Sequence, residues 1–114
     1  MKIKDKEFDF DIADAECMER YEKALHQMQE RTKNTAKSGT TSERMKQACQ
    51  LVFDFFDQVV GEGTSKQLFG EKMNFKVCFT TYEEFIEDCS RECDEFTQTL
   101  NQYSSNRAQR RANK

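Results

Sequence analysis

Residues 51–70 read LVFDFFDQVVGEGTSKQLFG, which places an unusually apolar helical run, a glycine turn and a second helical start within one short stretch. At helical spacing Asp54 and Asp57 share a face turned away from Val52, Phe56 and Val59, so the run is built for packing rather than chemistry. Followed back to Met45, its apolar set (Met45, Ala48, Cys49, Val52, Phe53, Phe55, Phe56, Val59, Val60) is wider than the single stripe a surface helix needs, and part of it is expected to face a partner. Gly61-Glu62-Gly63 ends the helix, because glycine accepts the left-handed backbone of a helix C-terminus. Thr64-x-x-Gln67 has the form of a capping box and restarts a short helix carrying Leu68 and Phe69, which Gly70 stops. The glycine pair is no phosphate loop: no GxxxxGK[ST] pattern is present, no strand precedes it, and Lys66 is the one nearby base.

Upstream, Thr40-x-x-Glu43 is a capping box that opens this same helix after a break over 34–39 containing Lys37-Ser38-Gly39. Before the break, Cys17, Met18, Tyr21, Leu25 and Met28 recur at steps of three and four through about Thr35, an amphipathic helix that Asp11 or Asp14 can cap. Residues 1–12 alternate, with Ile3, Phe8, Phe10 and Ile12 between charges and a turn at Lys4-Asp5-Lys6, and read as a β-hairpin lying against the helices. Downstream, Phe75, Val77 and Phe79 alternate as in a brief strand or an extended linker. A capping box at Thr81-x-x-Glu84 is then expected to open the last helix. The stripe of that helix is Tyr82, Phe85, Ile86, Cys89, Cys93, Phe96, Leu100 and Tyr103, near heptad spacing. The sum is a mainly α fold: a small helical domain of three long helices and one short helix with an N-terminal β-hairpin. No proline interrupts it.

At 114 residues the chain is expected to form one domain over 1–103, with 104–114 as a mobile basic tail. Charged residues make up 34% and mean hydropathy is -0.95, so much of the chain must be solvated, and the ten Phe residues carry much of the burial. The net charge of -3 hides a polarity: all 21 acids lie in 1–103, whereas 104–114 hold Arg107, Arg110, Arg111 and Lys114 and no acid. No run approaches a membrane span and the start lacks the apolar core of a signal peptide, so no membrane contact and a cytoplasmic location are expected.

The candidates for chemistry are few. The five cysteines, Cys17, Cys49, Cys78, Cys89 and Cys93, form no CxxC pair and are expected to be reduced core residues. Cys89 and Cys93 stand four apart, as two zinc ligands on a helix can, but His26, Cys17 or Cys49 would have to complete the set; no metal and no cofactor are expected. His26, the one histidine, has no partner at a motif spacing and reads as a surface or boundary residue. Between Tyr82 and Leu100 seven acids (Glu83, Glu84, Glu87, Asp88, Glu92, Asp94, Glu95) stand against Arg91 alone. That face is open to three readings: a solvated surface, a dock for a basic partner, or a nucleic-acid mimic. Without mixed polar groups beside these carboxylates, no enzymatic activity is expected. The bases of 104–114 are too sparse for direct nucleic-acid binding and suit a docking peptide better.

Four stretches carry a resemblance across nearly the whole chain: MKIKDKEFDFDIADAECMERYEKAL at the start, the run 51–70, FGEKMNFKVCFTTYEEFIE at 69–87, and the ending YSSNRAQRRANK. Together they resemble a family of small phage and prophage tail-module proteins of uncharacterised molecular function, encoded where tail assembly chaperones lie. The resemblance implies a non-enzymatic tail assembly chaperone in the host cytoplasm that binds the tape measure protein, or another tail protein, until tail-tube subunits replace it. On that reading Phe53, Phe55, Phe56, Leu68 and Phe69 supply apolar protein-binding surface, Arg107, Arg110 and Arg111 a docking peptide, and self-association into a homo-oligomer is open. The alternatives are a structural tail component and an acidic phage-encoded inhibitor of a host nucleic-acid-binding protein.

Overall fold

Glycines at the turns and polar side chains at the helix starts divide the chain into its elements. The computed structural model describes residues 1–34 and 39–112, with side chains described for all of these except 34 and 105–112. The order is β1 (Lys2–Ile3), β2 (Lys6–Glu7), α1 (Ala15–Asn34), α2 (Thr41–Val59), α3 (Thr64–Phe69) and α4 (Phe75–Ala112). The fold is mainly α, with three long helices, one short helix and the N-terminal hairpin. Of the break expected over 34–39, residues 35–38 lie outside the described residues.

The hairpin is antiparallel, with Lys2 opposite Glu7 and Ile3 opposite Lys6. Its turn residues Lys4 and Asp5 have φ of 52° and 64°, the left-handed pair that a two-residue hairpin turn requires. Pairing ends at Glu7 rather than continuing to residue 12. Phe8, Phe10 and Ile12 follow in irregular chain and still bury their side chains beside Ile3. Asp14 then caps α1, its carboxylate accepting from the Glu16 amide at 2.9 Å.

Thr40 caps α2 as expected, its hydroxyl accepting from the Glu43 amide at 3.2 Å. The capping box expected at Thr64 does not form. Gly63, at φ 88°, is the N-cap of α3 and Thr64 turns inward, its hydroxyl donating to the Gly61 carbonyl at 2.6 Å. The cap comes from the preceding helix instead: the Asp57 carboxylate accepts from the Ser65 amide at 2.8 Å and from the Ser65 hydroxyl at 2.9 Å. Asp57→Ala is therefore expected to lose about 0.5–2 kcal/mol of stability in urea titration, the range of a lost helix cap. Asp54, also half-buried, instead pairs with Arg31 of α1 at 2.8 Å.

The start of α4 also departs from the sequence reading. The helix begins at Phe75, so 75–79 is neither strand nor linker, and Thr81 is a buried residue within the helix rather than its cap. Asn74 does the capping: its side-chain oxygen accepts from the Val77 amide at 3.1 Å and its carbonyl from the Cys78 amide at 2.9 Å. Alternation at 75, 77 and 79 was compatible with a helix because Phe75 and Phe79 are also one turn apart, with ring centroids 4.7 Å from each other.

The core forms around α2. Cys49, Val52, Phe56 and Val59 have no exposed surface, and Phe55 is almost as deeply covered. Phe85 of α4 joins four elements through its ring, lying 5.7 Å from Phe10, 6.2 Å from Tyr21, 5.9 Å from Phe55 and 5.2 Å from Phe56. The short helix α3 folds over α2, stacking Phe69 on Phe53 at 5.3 Å. The hairpin holds it there, Lys4 donating to the Leu68 carbonyl at 2.9 Å and Lys6 donating to that of Gln67.

The helix α4 outruns this core. Its 38 residues give a length of about 57 Å at helical rise. A 4-3 repeat runs through Phe75, Phe79, Tyr82, Ile86, Cys89, Cys93, Phe96, Leu100 and Tyr103; it is deepest at the fully buried Cys89, and past it burial fades until Leu100 and Tyr103 are 65% and 63% exposed. The segment expected as a separate mobile tail continues this helix as far as Ala112; residues 113 and 114 lie outside the described residues.

Candidate partner-binding surfaces

The aromatic residues singled out from the sequence are where a core places them. Phe55, Phe56, Leu68 and Phe69 are buried, so they offer no docking surface, and Phe53 is half-buried against Phe69. The physical reason is that α3 folds back over Phe53 and Phe56 while Tyr21 of α1 and Tyr82 and Phe85 of α4 close over Phe55, which together supply the apolar layer that the sequence assigned to a partner. Arg107, Arg110 and Arg111 lie on the last turns of α4, and their side chains are outside the described set.

The open apolar surface lies elsewhere, where the C-terminal end of α1, the start of α2 and the start of α4 diverge. Met28, Met45, Ala48, Leu51, Phe75, Phe79 and Tyr82 line a groove of about 630 Å³, with Thr32, Thr41 and Arg44 at its edge. Met45 and Phe75 are 39% and 38% exposed. From Phe75 a ladder of rings leads inward: Phe75 to Phe79 at 4.7 Å, Phe79 to Tyr82 at 6.1 Å, and Tyr82 to Phe55 at 5.0 Å. The groove floor is thus continuous with the rigid core. Two methionines let its walls adapt, since an unbranched thioether side chain repacks readily.

The groove follows from local sequence. Asn74 starts α4 four residues earlier than the second turn at Cys78, and that first turn brings Phe75 and Phe79 to the start of α2. The signal was the one-turn spacing of Phe75 and Phe79 together with Met45, Ala48 and Leu51, each three apart; alternation at Val77 masked it.

A second concavity, about 720 Å³, lies between the N-terminal segment and α4. Phe10 and Ile12 contribute apolar surface to it, and Asp11, Asp88, Glu92 and Glu95 make it acidic, with Arg91 paired to Asp88.

Nucleophiles and metal ligands are differently placed. Burial pushes the Cys89 thiol up to about 12, helped by Cys93, Glu92 and Asp88. Burial likewise raises Cys78 to about 12, with the adjoining Cys49 thiol adding to it. Tyr21 also rises to about 12, chiefly through burial. Reactive cysteines require the opposite displacement, toward the thiolate. Cys93 is half-buried, its thiol 3.7 Å from the Met18 sulfur, and its titration too is raised by burial. His26 is exposed. Among the described residues no three His, Cys, Asp or Glu side chains are grouped to hold a metal ion, and no helix is long and apolar enough to cross a membrane.

A family model described as a family of unknown function, DUF6673, matches residues 4–114. No curated protein and no solved structure matches the chain.

Proposed function

The chain belongs to this family of unknown function, and we propose that it is a non-enzymatic binding protein whose client is an amphipathic helix seated in the groove formed by α1, α2 and α4. The observation that carries this reading is the groove itself: an adaptable apolar surface of about 630 Å³ centred on Met45 and Phe75 and continuous with the core, the kind of surface that takes the apolar stripe of a helix. Binding would cover two half-exposed side chains at the mouth and leave the core packing unchanged.

The sequence resemblance supplies the setting: a phage tail module, where a chaperone in the host cytoplasm keeps the long helical tape measure protein soluble until tail-tube subunits take it over. Apolar side chains recurring along such a client would suit a groove lined by methionine and phenylalanine. Release by competition needs no nucleotide.

Co-expression tests the reading. With the wild-type chain, the tape measure protein of the same phage should remain soluble and co-purify. Met45→Glu and Phe75→Glu should each reduce the soluble client at least tenfold, because a charge forced into an apolar contact loses both the contact and its own hydration. Their melting temperatures should stay close to that of the parent, since both side chains already face water in part. A client that is insoluble with the wild-type chain, or equally soluble with the two variants, would remove the groove from the proposal. Recovery of the chain in finished particles would favour a structural tail component. Salt-sensitive competition with DNA for a basic host protein would favour an acidic inhibitor, for which the carboxylate-lined concavity is the surface.

A further inference from the structure

We propose that the free end of α4 is a self-association element that pairs antiparallel with the same helix of a second copy. Three observations converge on it. Residues 97–104 are exposed on every side, yet the 4-3 apolar repeat that flanks the buried Cys78 and Phe85 and includes the buried Cys89 along the body of the helix continues through them at Leu100 and Tyr103. A sustained period of 3.5 residues is the pattern of a helix that packs along another helix. A projecting arm containing Thr97 and Thr99 is also a poor helix in isolation, and gains most from a partner.

Charge selects the partner and its direction. Glu92, Asp94 and Glu95 precede the exposed seam and Arg107, Arg110 and Arg111 follow it. Glu95 and Arg107 are twelve positions apart on one continuous helix, about 18 Å along its axis, so the two groups cannot meet within one chain. A parallel pair of arms would set acids beside acids and bases beside bases. An antiparallel pair, with Leu100 of one copy opposite Tyr103 of the other, brings the basic end of each arm alongside the 92–95 acids of its partner. Nothing opposes this pairing at the seam: the positions flanking Leu100 and Tyr103 are Thr97, Thr99 and Ser104, which carry no charge. The carboxylate-lined concavity beside Glu92 and Glu95 opens at the place where the partner's basic end would arrive.

Sedimentation velocity on the full chain should give a species of twice the 13.5 kDa chain mass at low salt, dissociating as salt is raised. The Leu100→Glu/Tyr103→Glu double variant should be monomeric with an unchanged melting temperature of the core, because neither side chain contacts it. Arg107→Glu/Arg110→Glu/Arg111→Glu should weaken association at least tenfold. Adding Glu92→Lys/Asp94→Lys/Glu95→Lys to the same chain should restore it. Direction is read from cysteine pairs: on mild oxidation, a mixture of Leu100→Cys and Tyr103→Cys chains should crosslink unlike with unlike several-fold more than like with like. A chain that is monomeric at every concentration overturns the proposal, as does a dimer whose crosslinks join like positions or do not form. The groove at Met45 and Phe75 lies on the other end of the molecule, so loss of self-association leaves client binding to be judged separately.

Discussion

Phe85→Ala is expected to destabilise the domain by about 3–5 kcal/mol, the cost of removing a large buried aromatic side chain. The ring is 2% exposed and meets Phe10, Tyr21, Phe55 and Phe56, so its loss opens a cavity where the N-terminal segment, α1, α2 and α4 converge. Those neighbours are held by two different helices and a strap of irregular chain, and none can collapse into the space without dragging its own element. For a domain whose whole stability is expected to be roughly 5–15 kcal/mol, that is a large fraction. Urea titration should show the midpoint falling steeply with the slope little changed. Phe75→Ala, at a 38% exposed position outside the core cluster, should cost less than about 1 kcal/mol. Similar losses at the two positions would contradict the division between core and groove on which the binding reading depends.

The contrast between these two phenylalanines shows what sequence pattern can reveal. Periodicity fixed the helix-forming character of α1, α2 and α4, and the caps at Asp14 and Thr40 were readable because each lies next to the backbone it bonds. The cap of α3 was not, since Asp57 reaches it from the preceding helix across a turn. At the start of α4 the capping box expected at Thr81 gives way to a cap at Asn74, because the turn it adds packs Phe79 against Tyr82 and buries Cys78. Burial was harder still. Phe53, Phe55 and Phe56 spread around α2 and looked like more than one domain could cover, but whether an aromatic residue faces a partner or the protein's own chain depends on where a later segment returns. Here α3 returns over Phe53 and Phe56, which turns the expected interface into core. The exposed surface of the groove then falls to Met45 and Phe75, whose spacings to Ala48 and Phe79 are those of any packed helix face. The seam at Leu100 and Tyr103 was legible as heptad spacing; its exposure was not, because it depends on where the body stops beside the helix.

The second large effect is expected in alkali. Cys78, Cys89 and Tyr21 are each pushed up to about 12, the thiols from 9.0 and the phenol from 10.0, with burial as the largest cause in every case. Each is neutral when protonated, so the unfolded chain gives up these protons near the ordinary values while the folded chain retains them. Between about pH 9 and pH 12 the folded state therefore binds more protons, and stability falls as pH rises; below about pH 9 both states are protonated and the contribution is intact. The three displacements have the same sign, so their contributions to the alkaline loss of stability reinforce one another. Thermal melts should be insensitive to these groups up to about pH 8.5 and then drop steeply. Cys89→Ala should start lower, because it leaves a small cavity, but decline less from pH 9 to 11. Glu92→Gln should also flatten the decline slightly, since the Glu92 carboxylate adds to the displacement of both Cys89 and Cys93. Alkylation by a maleimide at pH 8 should follow the same burial order, reaching half-buried Cys93 in the folded chain and Cys78 and Cys89 only as it unfolds. A melting temperature unchanged to pH 11, or equal alkylation rates at Cys93 and Cys89, would mean that the thiols are not enclosed by the α2 and α4 packing described above.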